Sequence, residues 1–189
     1  MTRKSSCLAL AALPLSQLIG SGAAKGVIVA SPNNTHVEIA RRLLDAGLAV
    51  LLEKPVATTV AEGLELDMAV KAAAAPLLVG HHRRHNPIIK AARKAISEGA
   101  IGELVTANVN VTLTKPAAYF DVAWRTQPGQ GGPLLINLIH EIDLLRHFFG
   151  DVTAVTALTS NVRRHLEVED TAAAILEFEA GGIASCTIT

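Results

Sequence analysis

The chain has 189 residues, 50% of them hydrophobic, enough for one ordinary domain or parts of two around a sizeable core, and this excludes a disordered chain. Seventeen basic residues balance seventeen acidic ones with no block of like charge, so the composition points to no nucleic acid and no membrane, and to a small polar ligand instead. Cys7 and Cys186 are far apart and lack metal-ligand spacing, which fits reduced thiols in a cytoplasmic protein and no metal site.

In chain order, residues 1–25 come first: Arg3 and Lys4 ahead of "CLALAALPL" imitate a secretory signal, so a secreted protein is one reading. The other is a ragged or atypical amino terminus, because the segment leads at once into a nucleotide-type fold and no run reaches the ~20 apolar residues of a membrane helix. From Gly26 the pattern is regular. "GVIVA" has the β-branched, continuous apolar character of a strand buried on both faces, and it ends at "SPNNTH". Thr35 and Glu38 have capping-box spacing, apolar residues follow at helical spacing, and Gly47 is placed to end a helix over 35–46. "LAVLL" is the next strand, "EKP" its end, and Thr59 with Glu62 opens a second helix. "PLLVG" is a third strand, running into "HHRRHNP".

Strand, helix, strand, helix, strand with short connections implies parallel crossovers, and in open sheets of that kind ligands sit beyond the carboxyl ends of the strands. All three such ends are polar here: Ser31 to His36, Glu53 to Pro55 and His81 to Pro87. Lys54 would therefore face a crevice shared by its neighbours.

After residue 86 the texture changes. Asn86 and Pro87 open a helix that ends near Gly99, and "ELVTANVNVTLT" alternates strictly, as a strand with one wet face in an antiparallel sheet does. A Gly/Pro-rich loop over 114–132 leads to "PLLINLIHEIDLLRHFF", with Pro133 in its first turn and Gly150 past its end. Strands near 152–159 and 170–178 precede a hairpin signal at Gly181-Gly182 and a last strand that reaches Thr189. The fold class is thus α/β: a partial Rossmann-type parallel sheet over 26–86, then an incomplete α+β domain with an open antiparallel sheet over 87–189. No G-x-G-x-x-G occurs, so the chain reads as cut at both ends.

On a wheel at about 100° per residue, Leu135, Leu138, Ile139, Ile142, Leu145 and Phe149 share one side of the helix over 133–149, with His140, Asp143 and His147 opposite. His140 and Asp143 lie one turn apart, so the carboxylate could orient the imidazole; a wetted polar face, or a histidine held by its neighbour for structural reasons, is equally consistent. Ile136 falls on the same stripe, which argues that something partly apolar covers it.

Taken in order, "EKP", "GHHRRHNP", "WR" at Trp124-Arg125, and "GGP" followed by "IHEIDLLRHFFG" resemble the Gfo/Idh/MocA oxidoreductases, from about Gly26 to the carboxyl end. The resemblance implies a dinucleotide-binding domain joined to an α+β domain whose open sheet mediates homo-oligomer contacts. It implies hydride transfer between NAD or NADP and a hydroxyl-bearing carbon of a sugar, cyclitol or related polyol. By the same resemblance Ser31, Pro32, Asn33, His36, Glu53 and Pro55 line the cofactor, joined by Arg83, Trp124 and Arg125. Lys54 stands between cofactor and substrate, His140 is the catalytic histidine assisted by Asp143, and Asn137 reaches the substrate. The chain departs from the family pattern at Ile136, where an aspartate is common, and in the missing phosphate loop. A non-catalytic binding or assembly module on the same scaffold is the alternative.

Overall fold

A computed structural model describes residues 14–189, so the signal-like run and Cys7 lie wholly or largely outside the described residues. Its first layer is a three-stranded parallel sheet of β1 (Gly26–Val29), β2 (Ala49–Leu52) and β3 (Leu77–Val79), in that order. The helices α1 (Leu15–Gly20), α2 (His36–Asp45) and α3 (Val60–Ala72) complete it. Val29, Val50 and Leu52 pack against Leu43 and Leu44 of α2 and Leu66 of α3 in one core, and Leu15 and Ile19 of α1 border it. The segment before Gly26 is therefore not wholly ragged.

The register places Ile28, Leu51 and Leu78 in one row on the other face. Ile28 and Leu78 are each 67% exposed, so the described helices cover one face only, where the apolar runs read as buried on both. The two capping signals also part company. Thr59 accepts from the Glu62 N–H while the Glu62 carboxylate accepts from Thr59 N, a complete capping box. Thr35 caps nothing, because its hydroxyl is turned back onto the Pro32 carbonyl and the Ser31 hydroxyl. A local side-chain bond has won over the helix end.

The second layer holds α4 (Pro87–Ser97), α5 (Ile139–Phe149) and a four-stranded sheet in the order β4 (Thr106–Val111), β7 (Ile183–Ile188), β6 (Thr171–Phe178), β5 (Val152–Ser160). Two ladders, β5–β6 and β6–β7, are antiparallel as expected; β4–β7 is parallel, so the sheet is mixed. Alternation along β4 reports which face is wet, not which way its partner runs. Leu138, Leu145, Leu176, Phe178, Cys186 and Ile188 form the core between helix and sheet, with Phe149 stacked on Phe178 at 4.9 Å. Cys186 is buried as a free thiol. The opposite face carries Leu158, Ile175 and Ile183 in the open, 79%, 48% and 49% exposed.

The turn before α5, Leu134–Leu138, is π-helical rather than α-helical. Its wider hydrogen-bond spacing rephases the residues ahead of His140, which a fixed 100° wheel does not anticipate. Leu134, Leu138, Ile142, Leu145 and Phe149 face the core, whereas Ile136 and Asn137 both line a cleft on the other side.

Candidate active site

The carboxyl ends of the three parallel strands converge on the start of α5. β2 ends in Glu53 and Lys54, followed by a cis Lys54–Pro55 bond. The Lys54 Nζ donates to the carbonyl of Ile136 at 2.9 Å, and the π turn holds that carbonyl where a side chain can reach it. Glu53 folds over Gly80 at the end of β3, where a Cβ would lie 3.0 Å from the carboxylate. Lys54 is held below its ordinary lysine range chiefly by burial, with Arg83 adding to the effect and Glu53 opposing it.

His140, from the first turn of α5, stands edge-on to His82 at a ring separation of 5.3 Å. Its Nδ1 is buried without a hydrogen-bond partner. Burial first, then the positive charges of Lys54 and Arg83, push its pKa from 6.5 down to about 4. The ammonium is thus near enough for its charge to act on the ring, which is neutral at pH 7.

Asp143 goes elsewhere. Its buried carboxylate accepts a forked pair of bonds from Arg84, Nε to Oδ2 at 2.9 Å and Nη2 to Oδ1 at 2.6 Å, tying α5 to the segment after β3. His81 Nδ1 stands 3.6 Å away, within ionic reach but beyond a hydrogen bond, and burial pushes this histidine's pKa down, so at pH 7 it adds no charge pair. The spacing that suggested an Asp143–His140 pair is outcompeted by a guanidinium 59 residues away in sequence from the carboxylate it holds. Arg83, by its side, pairs with Glu141. Arg84 and Glu141 were not singled out from the sequence; the run of four basic residues His82–His85 after β3 was the available signal.

The residues after β1 act mainly as joints. His36 is fully buried, its Nδ1 2.7 Å from the Pro55 carbonyl and its Nε2 3.0 Å from the Ser31 carbonyl, so one ring fastens two strand-end loops together. Both partners are carbonyl oxygens, so a ring nitrogen bonds its partner when it carries the proton. Asn33 is buried and donates to the Gln130 carbonyl at 2.9 Å, linking the first layer to the loop before α5. These two, and the buried Pro55, are too enclosed to line a ligand, contrary to the sequence reading, whereas Ser31 and Glu53 remain partly exposed at the strand ends and Pro32 is exposed.

Trp124 and Arg125 sit in the loop ahead of α5. Arg125 lies over the Tyr119 ring at 4.1 Å and donates to the Tyr119 carbonyl at 2.9 Å. The loop closes tightly on itself: a Cβ on Gly131 would be 2.0 Å from the Arg125 carbonyl oxygen, so no side chain is admitted there. Gly132, at φ +89°, leaves room for Glu169, whose Oε1 accepts from the Leu134 N–H at 2.9 Å at the start of the π turn.

Comparison with known proteins accounts for this arrangement. Residues 5–81 match the model of an oxidoreductase family with an NAD-binding Rossmann fold, and residues 89–189 match the GFO/IDH/MocA C-terminal domain. The chain belongs to the Gfo/Idh/MocA family. It is 32% identical over 157 residues to scyllo-inositol 2-dehydrogenase (NADP(+)) IolW of Bacillus subtilis, covering 82% of this chain and 43% of that protein. It is 33% identical over 137 residues to levoglucosan dehydrogenase of Pseudarthrobacter phenanthrenivorans, covering 71% of this chain and 35% of that one. Among solved structures, the WlbA dehydrogenase from Bordetella pertussis in complex with NADH and UDP-GlcNAcA superposes with a TM-score of 0.87 at 32% identity, over 93% of this chain and 51% of that one. The chain thus spans about half the length of its Gfo/Idh/MocA relatives or less. No helix among the described residues is long and apolar enough to cross a membrane.

Proposed function

We propose that this chain forms the catalytic part of an NAD(P)-dependent oxidoreductase that acts on a hydroxyl-bearing carbon of a sugar, cyclitol or related polyol. What supports the proposal is Lys54 at the end of β2, bonded to the Ile136 carbonyl four residues before His140, whose ring its charge reaches. A nicotinamide held there would supply the hydride transfer. A neutral imidazole and a half-buried ammonium suit the reacting end of such a cofactor with its substrate, and Ser31, Pro32 and Glu53 are the residues at the strand ends exposed enough to hold it.

The chain's own side chains divide the proton work. As a carbinol carbon is oxidised its hydroxyl must lose a proton, and His140, neutral at pH 7, is the group to take it. The Lys54 ammonium, fixed by the Ile136 carbonyl, donates to the oxygen as alkoxide character develops. A base whose pKa stands near 4 is a weak one, so the charge of a bound ligand matters to its strength. Asp143 has a positioning role through Arg84, by fixing α5 against the end of β3. Asn137 lines the cleft beside Ile136 and is placed to touch substrate. The two cores read as two domains meeting near residue 86, in a cytoplasmic protein that pairs through its open mixed sheet.

Titration of the purified chain with NADH and with NADPH tests the reading. Saturable binding to either supports it. No binding at millimolar cofactor would favour the second reading, an assembly module on the family scaffold, which the exposed face of the mixed sheet also suits.

A further inference from the structure

Beside the Lys54 and His140 site lies a cleft of different character. It runs from Ile136 and Asn137 into the second layer, between the loop before α5 and the turn joining β5 to β6. The space in it open to a water-sized molecule is about 60 Å³. At roughly 10–15 Å³ for each water admitted, that holds a few waters, hence a carboxylate or phosphate group and not an entire sugar ring.

Three cations line it. The Arg125 guanidinium lies 4.1 Å above the Tyr119 ring, with Lys115 Nζ 5.0 Å from the same ring, and Arg164 lies 4.2 Å above Phe120. Among the described residues none of the three pairs with a carboxylate. Arg125 Nε is buried without a partner. The two acids on the wall are already committed to other donors. Glu169 accepts from the Leu134 N–H, while Asp170 accepts from the backbone N–H groups of Arg163 and Arg164 and from the Thr171 hydroxyl. Stacking on aromatic rings fixes the guanidinium planes at little entropic cost, which suits bidentate capture of an anion.

We propose that this cleft is a subsite for an anionic substituent of the substrate, a carboxylate or a phosphate carried on the sugar or polyol whose carbinol meets Lys54. The assignment rests on the function proposed above for the word substrate, although the anion site itself needs no cofactor. The substrate class is then a sugar acid or a sugar phosphate.

Trp124 is the chain's single tryptophan and lies 5.5 Å from the Arg125 guanidinium, so its fluorescence reports on the cleft. The chain is titrated with D-glucuronate, D-glucose 6-phosphate, D-glucose and inorganic phosphate, without cofactor. One of the two anionic sugars is expected to bind at least 10-fold more tightly than D-glucose, and which one does so separates carboxylate from phosphate. The double variant Lys115→Gln/Arg164→Gln, two replacements at partly or fully exposed positions, is expected to erase that preference with an unchanged circular-dichroism melt. Equal binding of D-glucose and both anionic sugars, inorganic phosphate binding as tightly as either anionic sugar, or a preference that survives the double variant, would overturn the proposal. NADH binding that fails while the anion preference holds would sink the oxidoreductase reading and leave the subsite standing.

Discussion

The place of Lys54 was legible because it follows a strand at the ligand edge of a parallel sheet, a place fixed by topology, whereas His140 was singled out from its helix face and the family resemblance. Their electrostatics were not legible. From sequence, histidine needs little tuning to serve as a base; in the fold, burial and neighbouring cations hold its pKa near 4. The same shift makes a stability statement. Between 6.5 and about 4 the unfolded chain holds a proton on this ring that the folded chain lacks, so the contribution is complete above pH 6.5 and drains away as the pH falls. His81 and His147 are shifted downward too and act with the same sign. The urea midpoint is therefore expected to be lower at pH 5 than at pH 7, and His140→Gln to narrow the gap. An unchanged gap in that variant would count against a buried neutral ring. At the helix ends, Thr59→Ala is expected to cost about 1 kcal/mol in a urea melt, and Thr35→Ala less than half of that, because only Thr59 closes a capping box.

Among elements, the joint between α5 and the end of β3 decides where the site sits. Asp143 is the buried half of that joint and Arg84 the wetter half. Asp143→Asn leaves a guanidinium facing an amide and is expected to destabilise the chain by about 3 kcal/mol, a loss that His140→Ala should not reproduce. Equal losses would mean that His140 is the structural residue. The π turn escaped sequence reading because nothing in "PLLINL" distinguishes it from an α-helical start; it is selected by tertiary contacts, the Glu169 carboxylate at its first N–H and Lys54 on its Ile136 carbonyl. Gly131 is a further element-scale control: Gly131→Ala places a methyl carbon into the Arg125 carbonyl and is expected to loosen the loop, lowering the melting temperature and quenching Trp124 differently.

For the whole molecule, periodicity and turn residues were enough to read two layers, the parallel crossovers of the first and the hairpin at Gly181-Gly182 in the second, since each depends on short-range pattern. The parallel β4–β7 pairing was out of reach: the partners are 77 residues apart in sequence at Asn108 and Ser185, and alternation carries no direction. The exposed row of Leu158, Ile175 and Ile183 belongs to a sheet face that suits pairing with a second copy. On the pairing proposed above, the natural chain is expected to sediment as a dimer and Leu158→Lys together with Ile175→Lys as a monomer; a natural chain already monomeric at tens of micromolar would refute that use of the face.

The proposed site needs the ammonium of Lys54 close to the imidazole of His140. Nuclear magnetic resonance titration of the His140 ring proton, in the natural chain and in Lys54→Met, measures that directly. In the natural chain the midpoint is expected at about 4, and removal of the ammonium is expected to raise it toward 6.5. A midpoint that stays where it was when Lys54 is lost would place the two groups apart and contradict the site.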